Sequence, residues 1–113
     1  MLPQVRGLLW ALVLAVVVLL AAAPARADVD ADFATQLHGY GIYGPRDYNA
    51  WLGKITCKRL ATRLDRNAFD SAKFLSTNLP RGTTTQQAWQ FLDAALSTYC
   101  PEQLSVISAV ATH

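Results

Sequence analysis

The first 27 residues have the pattern of an export signal, and this decides which part of the chain is available to fold. Arg6 gives a positive start, residues 8–23 carry no charge, and the stretch closes on Ala25-Arg26-Ala27, a small-x-small sequence of the kind that signal peptidase cuts. A membrane-spanning helix needs about 20 apolar residues, whereas this run has 16. We therefore predict a cleaved signal peptide at residues 1–27 rather than an uncleaved anchor.

The predicted mature domain, residues 28–113, is electrically neutral. The full sequence has ten Lys and Arg against eight Asp and Glu, but Arg6 and Arg26 belong to the leader. The remaining 86 residues therefore offer no basic stripe for nucleic acid and no acidic field for cations. We expect one domain in the secreted fraction or the cell envelope, with no stable membrane span once the leader is removed.

Cys57 and Cys100 are the two cysteines of the chain, and in an exported protein they are expected to form a structural disulfide. Closing a loop of this length stabilises the folded state by about 4 kcal/mol. An intermolecular bridge and free thiols are the alternatives. A redox pair would favour Cys-x-x-Cys, and a metal site would need more ligands than His38 and His113 add, so we predict neither.

Apolar residues recur with helical spacing through most of the mature chain, and no segment alternates for long enough to be a strand. We predict an all-α fold, a small bundle of four to five crossed helices. The expected inward residues are Phe33 and Leu37 in the first helix, Tyr48, Trp51, Leu52, Ile55, Cys57, Leu60 and Leu64 in the second, Phe69, Ala72 and Leu75 or Leu79 in the third, Ala88, Leu92, Ala95, Leu96 and Tyr99 in the fourth, and Leu104, Ile107 and Ala111 in a last turn or two.

Capping residues and helix breakers mark the expected ends of these helices. The predicted boundaries are Asp28, Asp30 and Asp32 at the start of the first helix, Gly39 and Gly41 at its end, Asp47 at the start of the second, Asn67 in the left-handed conformation after it, Thr84 with Gln87 or Thr83 with Gln86 as a capping box of the fourth, and Pro101 at the end of the fourth. Arg59 falls within the apolar arc of the second helix, so we expect it to reach solvent or to pair.

Several short motifs along the mature chain resemble a family of small exported mycobacterial proteins that carry a domain of unknown function. The matching elements are Asp30-Ala31-Asp32-Phe33, Leu37, Gly41-Ile42, Gly53, Cys57, Leu60, Phe91, Ala95 and Tyr99-Cys100-Pro101. The resemblance implies export, one disulfide and a helical fold, and it implies no catalytic residue. The chain departs from the family in having Asp65-Arg66-Asn67 where a glycine is expected, and in a longer tail after Pro101.

The sequence contains no pattern typical of an enzyme. It lacks a Gly-x-Ser-x-Gly elbow and a glycine-rich phosphate loop, and Glu102 is its single glutamate. We therefore predict a non-catalytic protein without a resident cofactor.

Two binding hypotheses remain. The first is a haem or small apolar ligand carrier that uses the segment from His38 to Tyr48, because tyrosine can hold haem iron; its residues are His38, Tyr40, Tyr43 and Tyr48. The alternative for these tyrosines is ordinary packing over the edge of the core. The second hypothesis, which we favour, is a binding or interaction module with an unknown protein or small-molecule partner. It requires exposure of at least one of Trp51, Trp89 and Phe74.

Overall fold

The structure is a computed structural model that describes residues 24–111, and this part of the chain is helical. Its elements are α1 (Pro24–Gly39), α2 (Arg46–Ala61), α3 (Ala68–Asn78), α4 (Thr85–Tyr99), a 3-10 turn (Pro101–Gln103) and α5 (Ser105–Ala111). The all-α prediction is confirmed. Residues 1–23 of the proposed signal peptide lie outside the described residues, so the signal peptide stays a prediction.

The core is assembled around α4, which contacts α1, α2 and α3. The large side chains at its centre are fully buried: Phe33 and Leu37 from α1, Leu52 from α2, Leu75 from α3, and Phe91, Leu92 and Leu96 from α4. Phe33 meets the rings of Phe91 and Tyr99 edge-on, at centroid distances of 5.4 and 5.1 Å. Edge-to-face contacts of this kind add to the stabilisation that burial provides.

A disulfide joins α2 to the end of α4, as predicted. The Cys57 and Cys100 sulfur atoms are 2.01 Å apart, and the two Cα atoms are 6.0 Å apart. Pro101 follows directly and begins the 3-10 turn, so α4 ends at the predicted place. The bridge therefore fixes the second half of α2 against the end of the central helix.

Two predicted helix faces are partly wrong. Trp51 and Phe69 were expected inside, but they are 52% and 55% exposed, and Tyr48 is exposed as well. In α2 the buried set is Asn49, Ala50, Leu52, Gly53, Thr56 and Leu60, and in α3 it is Ala68, Ser71, Ala72 and Leu75. Leu64, also expected inside, is exposed because α2 ends at Ala61. Small side chains take the inner positions because α2 and α3 pack closely against their neighbours.

Some predicted boundaries move as well. In the described residues α1 already includes Pro24, so the three early aspartates lie within the helix rather than before it. Asp47 is in the first turn of α2 rather than at its cap, which is Pro45. Asn67 is extended and caps α3 by accepting from the backbone N–H of Asp70. The left-handed position after α2 belongs to Arg63, with φ of 64°.

Other boundaries agree with the sequence prediction. Thr84 and Gln87 form the capping box of α4, with each side chain bonded to the other residue's backbone N–H at 2.9 to 3.0 Å. Arg59 pairs with Asp65, as expected for a charge within an apolar arc. Across residues 24–111, no helix has the length and apolar character that crossing a membrane requires.

Candidate functional site

Two loops meet beside the first turn of α4 and border an open cavity. The first loop, residues 40–45, follows α1, and the second, residues 79–84, follows α3. Between them lies a cavity of about 280 Å³ that we call the loop cavity; the lining residues used below are Gly41, Tyr43, Arg81, Gly82, Thr83 and Gln87. Its volume lies just below the range typical of small-molecule sites.

Gln87 holds the two loops in place. Its side-chain carbonyl accepts from the backbone N–H of Thr84 at 2.9 Å, and its side-chain amide donates to the carbonyl of Tyr40 at 3.0 Å. The second bond joins residues 47 positions apart in sequence. Ile42 is buried next to it and anchors the first loop to the core. The loop cavity is therefore built on the rigid start of α4.

The four residues of the ligand-carrier hypothesis do not form one cluster. The His38 and Tyr43 rings lie 5.2 Å apart, and Tyr43 lines the loop cavity. Tyr40 is half-buried, and its hydroxyl accepts from the side-chain amide of Gln36. The Tyr48 hydroxyl donates to the carbonyl of Asn78 at 2.8 Å, so Tyr48 is held at the end of α3. The structure brings together His38 and Tyr43 and directs Tyr48 elsewhere.

A second surface lies on α2, where Tyr48 and Trp51 stand side by side; we call it the α2 aromatic face. Their ring centroids are 5.9 Å apart. Tyr48 is fixed by its bond to Asn78, whereas the indole of Trp51 is 52% exposed. Of the tryptophans named in the interaction hypothesis, Trp51 is thus the exposed one, since Trp89 is partly buried against the core.

A groove runs between α2 and α3 beside this face. It has a volume of about 440 Å³ and is lined by Arg59, Asp65, Phe74 and Asn78 among others. The Arg59 guanidinium lies 3.9 Å from the centre of the Phe74 ring and donates to both carboxylate oxygens of Asp65, at 2.9 to 3.2 Å. The hydroxyl of Ser71 donates to the same carboxylate at 3.0 Å. Because the Arg59 and Asp65 charges neutralise each other, this part of the groove floor is a structural network.

A half-buried network at the other end of α4 was not expected from the sequence. The Tyr99 hydroxyl donates to Asp30 at 2.7 Å, and the Lys54 ammonium donates to the second oxygen of Asp30 at 3.4 Å. Burial, the hydrogen bond to Asp30 and the charge of that carboxylate together raise the pKa of Tyr99 well above its ordinary value. Helix periodicity cannot reveal a contact between residues 69 positions apart.

No constellation suited to a metal ion appears within residues 24–111, where no three His, Cys, Asp or Glu residues are grouped for it. The loop cavity has a mixed lining, with Arg81, Thr83 and Gln87 as polar walls beside Ile42, Tyr43 and Pro80. Haem ligation by His38 or the tyrosines stays a prediction, and a hemin titration of the protein tests it.

Comparison with known proteins assigns the family. Residues 28–102 match the family described as "Protein of unknown function (DUF732)". The chain belongs to this family. The match begins at the residue predicted to start the mature domain and ends in the 3-10 turn after α4, so α5 lies beyond it.

Two mycobacterial relatives are similar to the chain over most of its length. They are "Uncharacterized protein MT0585" of Mycobacterium tuberculosis strain CDC 1551 and "Uncharacterized protein Rv0559c" of strain H37Rv, each 56% identical over 92 residues, which is 80% of this chain and 82% of the relative. The search of solved structures found no match. The expected resemblance to a mycobacterial family of unknown function is therefore confirmed.

Proposed function

We propose that the chain is an exported, non-catalytic binding module that works in the secreted fraction or the cell envelope. The observation that carries the proposal is the exposure of Trp51, a residue that the sequence predicts to be buried. In the described residues the largest core side chains are fully buried, and no buried side-chain polar atom lacks a partner. Tryptophan is among the residues that contribute most of the binding energy at protein interfaces, which makes this exposed indole a candidate contact.

The geometry around Trp51 supports the same proposal. Tyr48 is held by Asn78, so its ring offers a fixed edge beside the indole. The α2–α3 groove, which shares Asn78, continues this surface and holds the Arg59–Asp65 ion pair. An aromatic pair on a rigid helix loses little side-chain entropy on binding, and this favours a protein partner that inserts an apolar side chain there.

The export part of the proposal rests on the leader and on the two cysteines. A disulfide is expected to persist in an oxidising compartment, and the family match begins at residue 28, directly after the proposed cleavage site. The absence of an enzyme motif in the sequence favours binding over catalysis.

The test compares partner recovery by three forms of the full chain, each tagged at the carboxyl end and produced in a mycobacterial host. The forms are wild type, Trp51→Ser and Phe69→Ser, and Phe69 is the matched control because it is a similarly exposed aromatic on another helix. After chemical crosslinking, we expect Trp51→Ser to lose its partner at least tenfold, as hot-spot tryptophans do. Phe69→Ser should retain it.

Equal recovery by wild type and Trp51→Ser would contradict the proposed surface. Thermal unfolding of the three forms shows whether a lost partner reflects misfolding. We expect similar unfolding temperatures, because replacing an exposed side chain changes stability little.

A further inference from the structure

The loop cavity has walls that are fixed before any ligand arrives. Gly41 and Gly82 both have positive φ, at 76° and 89°, a conformation that a side chain would disfavour. A Cβ atom at Gly41 would also lie 3.3 Å from the side-chain amide of Gln87, the group that joins the two loops. The Thr83 hydroxyl donates to the carbonyl of Pro80 at 2.6 Å and keeps its lone pairs free to accept. A preformed cavity loses little free energy to ordering when a ligand binds.

The charge of the loop cavity is positive. Arg81 lines it, and no carboxylate is among its lining residues. The ion pairs found within the described residues use Arg46, Lys54 and Arg59 instead. The Arg81 guanidinium, which is exposed, is therefore available to a ligand. Arginine presents donors in a planar fork that matches carboxylate and phosphate oxygens.

The remaining walls indicate what else the ligand carries. Tyr43 is 65% exposed and offers a flat ring at the mouth of the cavity, with His38 beside it. Ile42 and Pro80 add a small apolar wall. The other groups are polar: loop backbone at Gly41 and Gly82 and the Thr83 hydroxyl. An apolar anion would desolvate these groups without replacing their hydrogen bonds, whereas a molecule with several hydroxyls satisfies them and can lay a C–H face on the tyrosine ring.

We propose that the loop cavity binds a small saccharide that carries one carboxylate or phosphate group, with Arg81 on the anion and Tyr43 against the sugar ring. This site is separate from the α2 aromatic face, and it does not depend on the proposed protein partner. The cavity volume of about 280 Å³ suits one sugar unit rather than a chain.

The test is a titration of the ¹⁵N-labelled full chain, purified from whichever fraction of a mycobacterial host accumulates it, followed by amide chemical shifts. The probes are glucose 6-phosphate, glucuronate, glucose and inorganic phosphate. We expect the two anionic sugars to shift the amides of Gly41, Gly82 and Thr83. Glucose and inorganic phosphate should each bind at least tenfold more weakly, because each lacks one half of the recognised chemistry.

Two variants locate the site. Arg81→Gln should weaken binding of both anionic sugars by about tenfold or more. The control is Arg66→Gln, at an exposed arginine outside the loop cavity, and it should leave the affinity for both sugars unchanged. Unchanged binding by Arg81→Gln, or no shift with either anionic sugar at millimolar concentration, would overturn the proposal. Inorganic phosphate binding as tightly as glucose 6-phosphate would overturn the saccharide assignment. None of these results bears on Trp51, so the two proposals fail separately.

Discussion

The two ends of α4 are stabilised in different ways. At its carboxyl end, the disulfide, the Tyr99 ring and the Asp30 carboxylate fix three helices to one another. At its amino end, Gln87 supports two loops that border the loop cavity. The first end is filled by side chains from distant parts of the chain, and the second leaves space and an unpaired cation. The comparison shows that residues at the carboxyl end of α4 maintain the fold, whereas the amino end leaves side chains such as Arg81 available for binding.

The largest expected effect comes from removing the disulfide. We expect Cys57→Ser with Cys100→Ser to lower the free energy of unfolding by about 4 kcal/mol, because the unfolded chain gains the entropy of an open loop. Urea denaturation measures it. Reduction of the wild type should give a similar loss, and reduction of the double variant should give none. A loss below about 1 kcal/mol would mean that the carboxyl end of α4 does not depend on the bridge.

A methyl group at Gly53 tests how closely this end is packed. Its Cβ would lie 3.1 Å from the Tyr99 ring and 3.3 Å from the Phe33 ring, so Gly53→Ala should destabilise the protein by about 1 to 3 kcal/mol. Gly39→Ala is the matched control, since a Cβ there meets nothing within 4 Å. The control should be neutral or slightly stabilising. If both variants unfold alike, the contact between α2 and the two rings is looser than described.

The smallest of these effects is the loss of the Tyr99 hydroxyl. Tyr99→Phe should cost about 1 kcal/mol at neutral pH, with Tyr43→Phe as an exposed control. The raised pKa of Tyr99 also gives a pH dependence. Below pH of about 10 the phenol is neutral in both states. Above this pH the Tyr99 phenol ionises in the unfolded state before it does in the folded state, where its pKa is higher. The free energy of unfolding therefore falls as pH rises.

Denaturation curves collected at several alkaline pH values show whether that dependence belongs to Tyr99. The wild type should lose stability more steeply above pH of about 10 than Tyr99→Phe does. Parallel curves for the two proteins would contradict the assignment of the pKa shift to this hydroxyl.

Sequence patterns predicted the parts of the fold that local spacing determines. The helices, the capping box at Thr84 and Gln87, and the inward face of α4 apart from Phe91 follow from periodicity and capping chemistry. The disulfide follows from cysteine count and compartment. The same patterns placed Trp51 and Phe69 inside. A wide apolar arc does not predict which of its residues contact a neighbouring helix. In α2 and α3 several of the buried positions are occupied by small residues instead of these aromatic ones.

The candidate sites were predicted less completely. His38 and Tyr43 were recognised because both lie in or next to one irregular loop. From the sequence, Arg81 was assigned no binding role, and Gln87 was treated only as a capping residue. Their joint position beside the first loop depends on a bond across 47 residues, which no local pattern encodes. The left-handed residue after α2 was also misplaced, because Arg63 rather than Asn67 adopts that conformation.

The central claim is that the chain is an exported domain held together by one disulfide. The most direct test is intact mass spectrometry of the protein recovered from the culture medium of a mycobacterial host. The account predicts a chain that begins at Asp28 and whose mass lacks the two thiol hydrogens of the reduced form. A chain that stays in the cells with residues 1–27 attached, or freshly secreted protein with two free thiols, would contradict it.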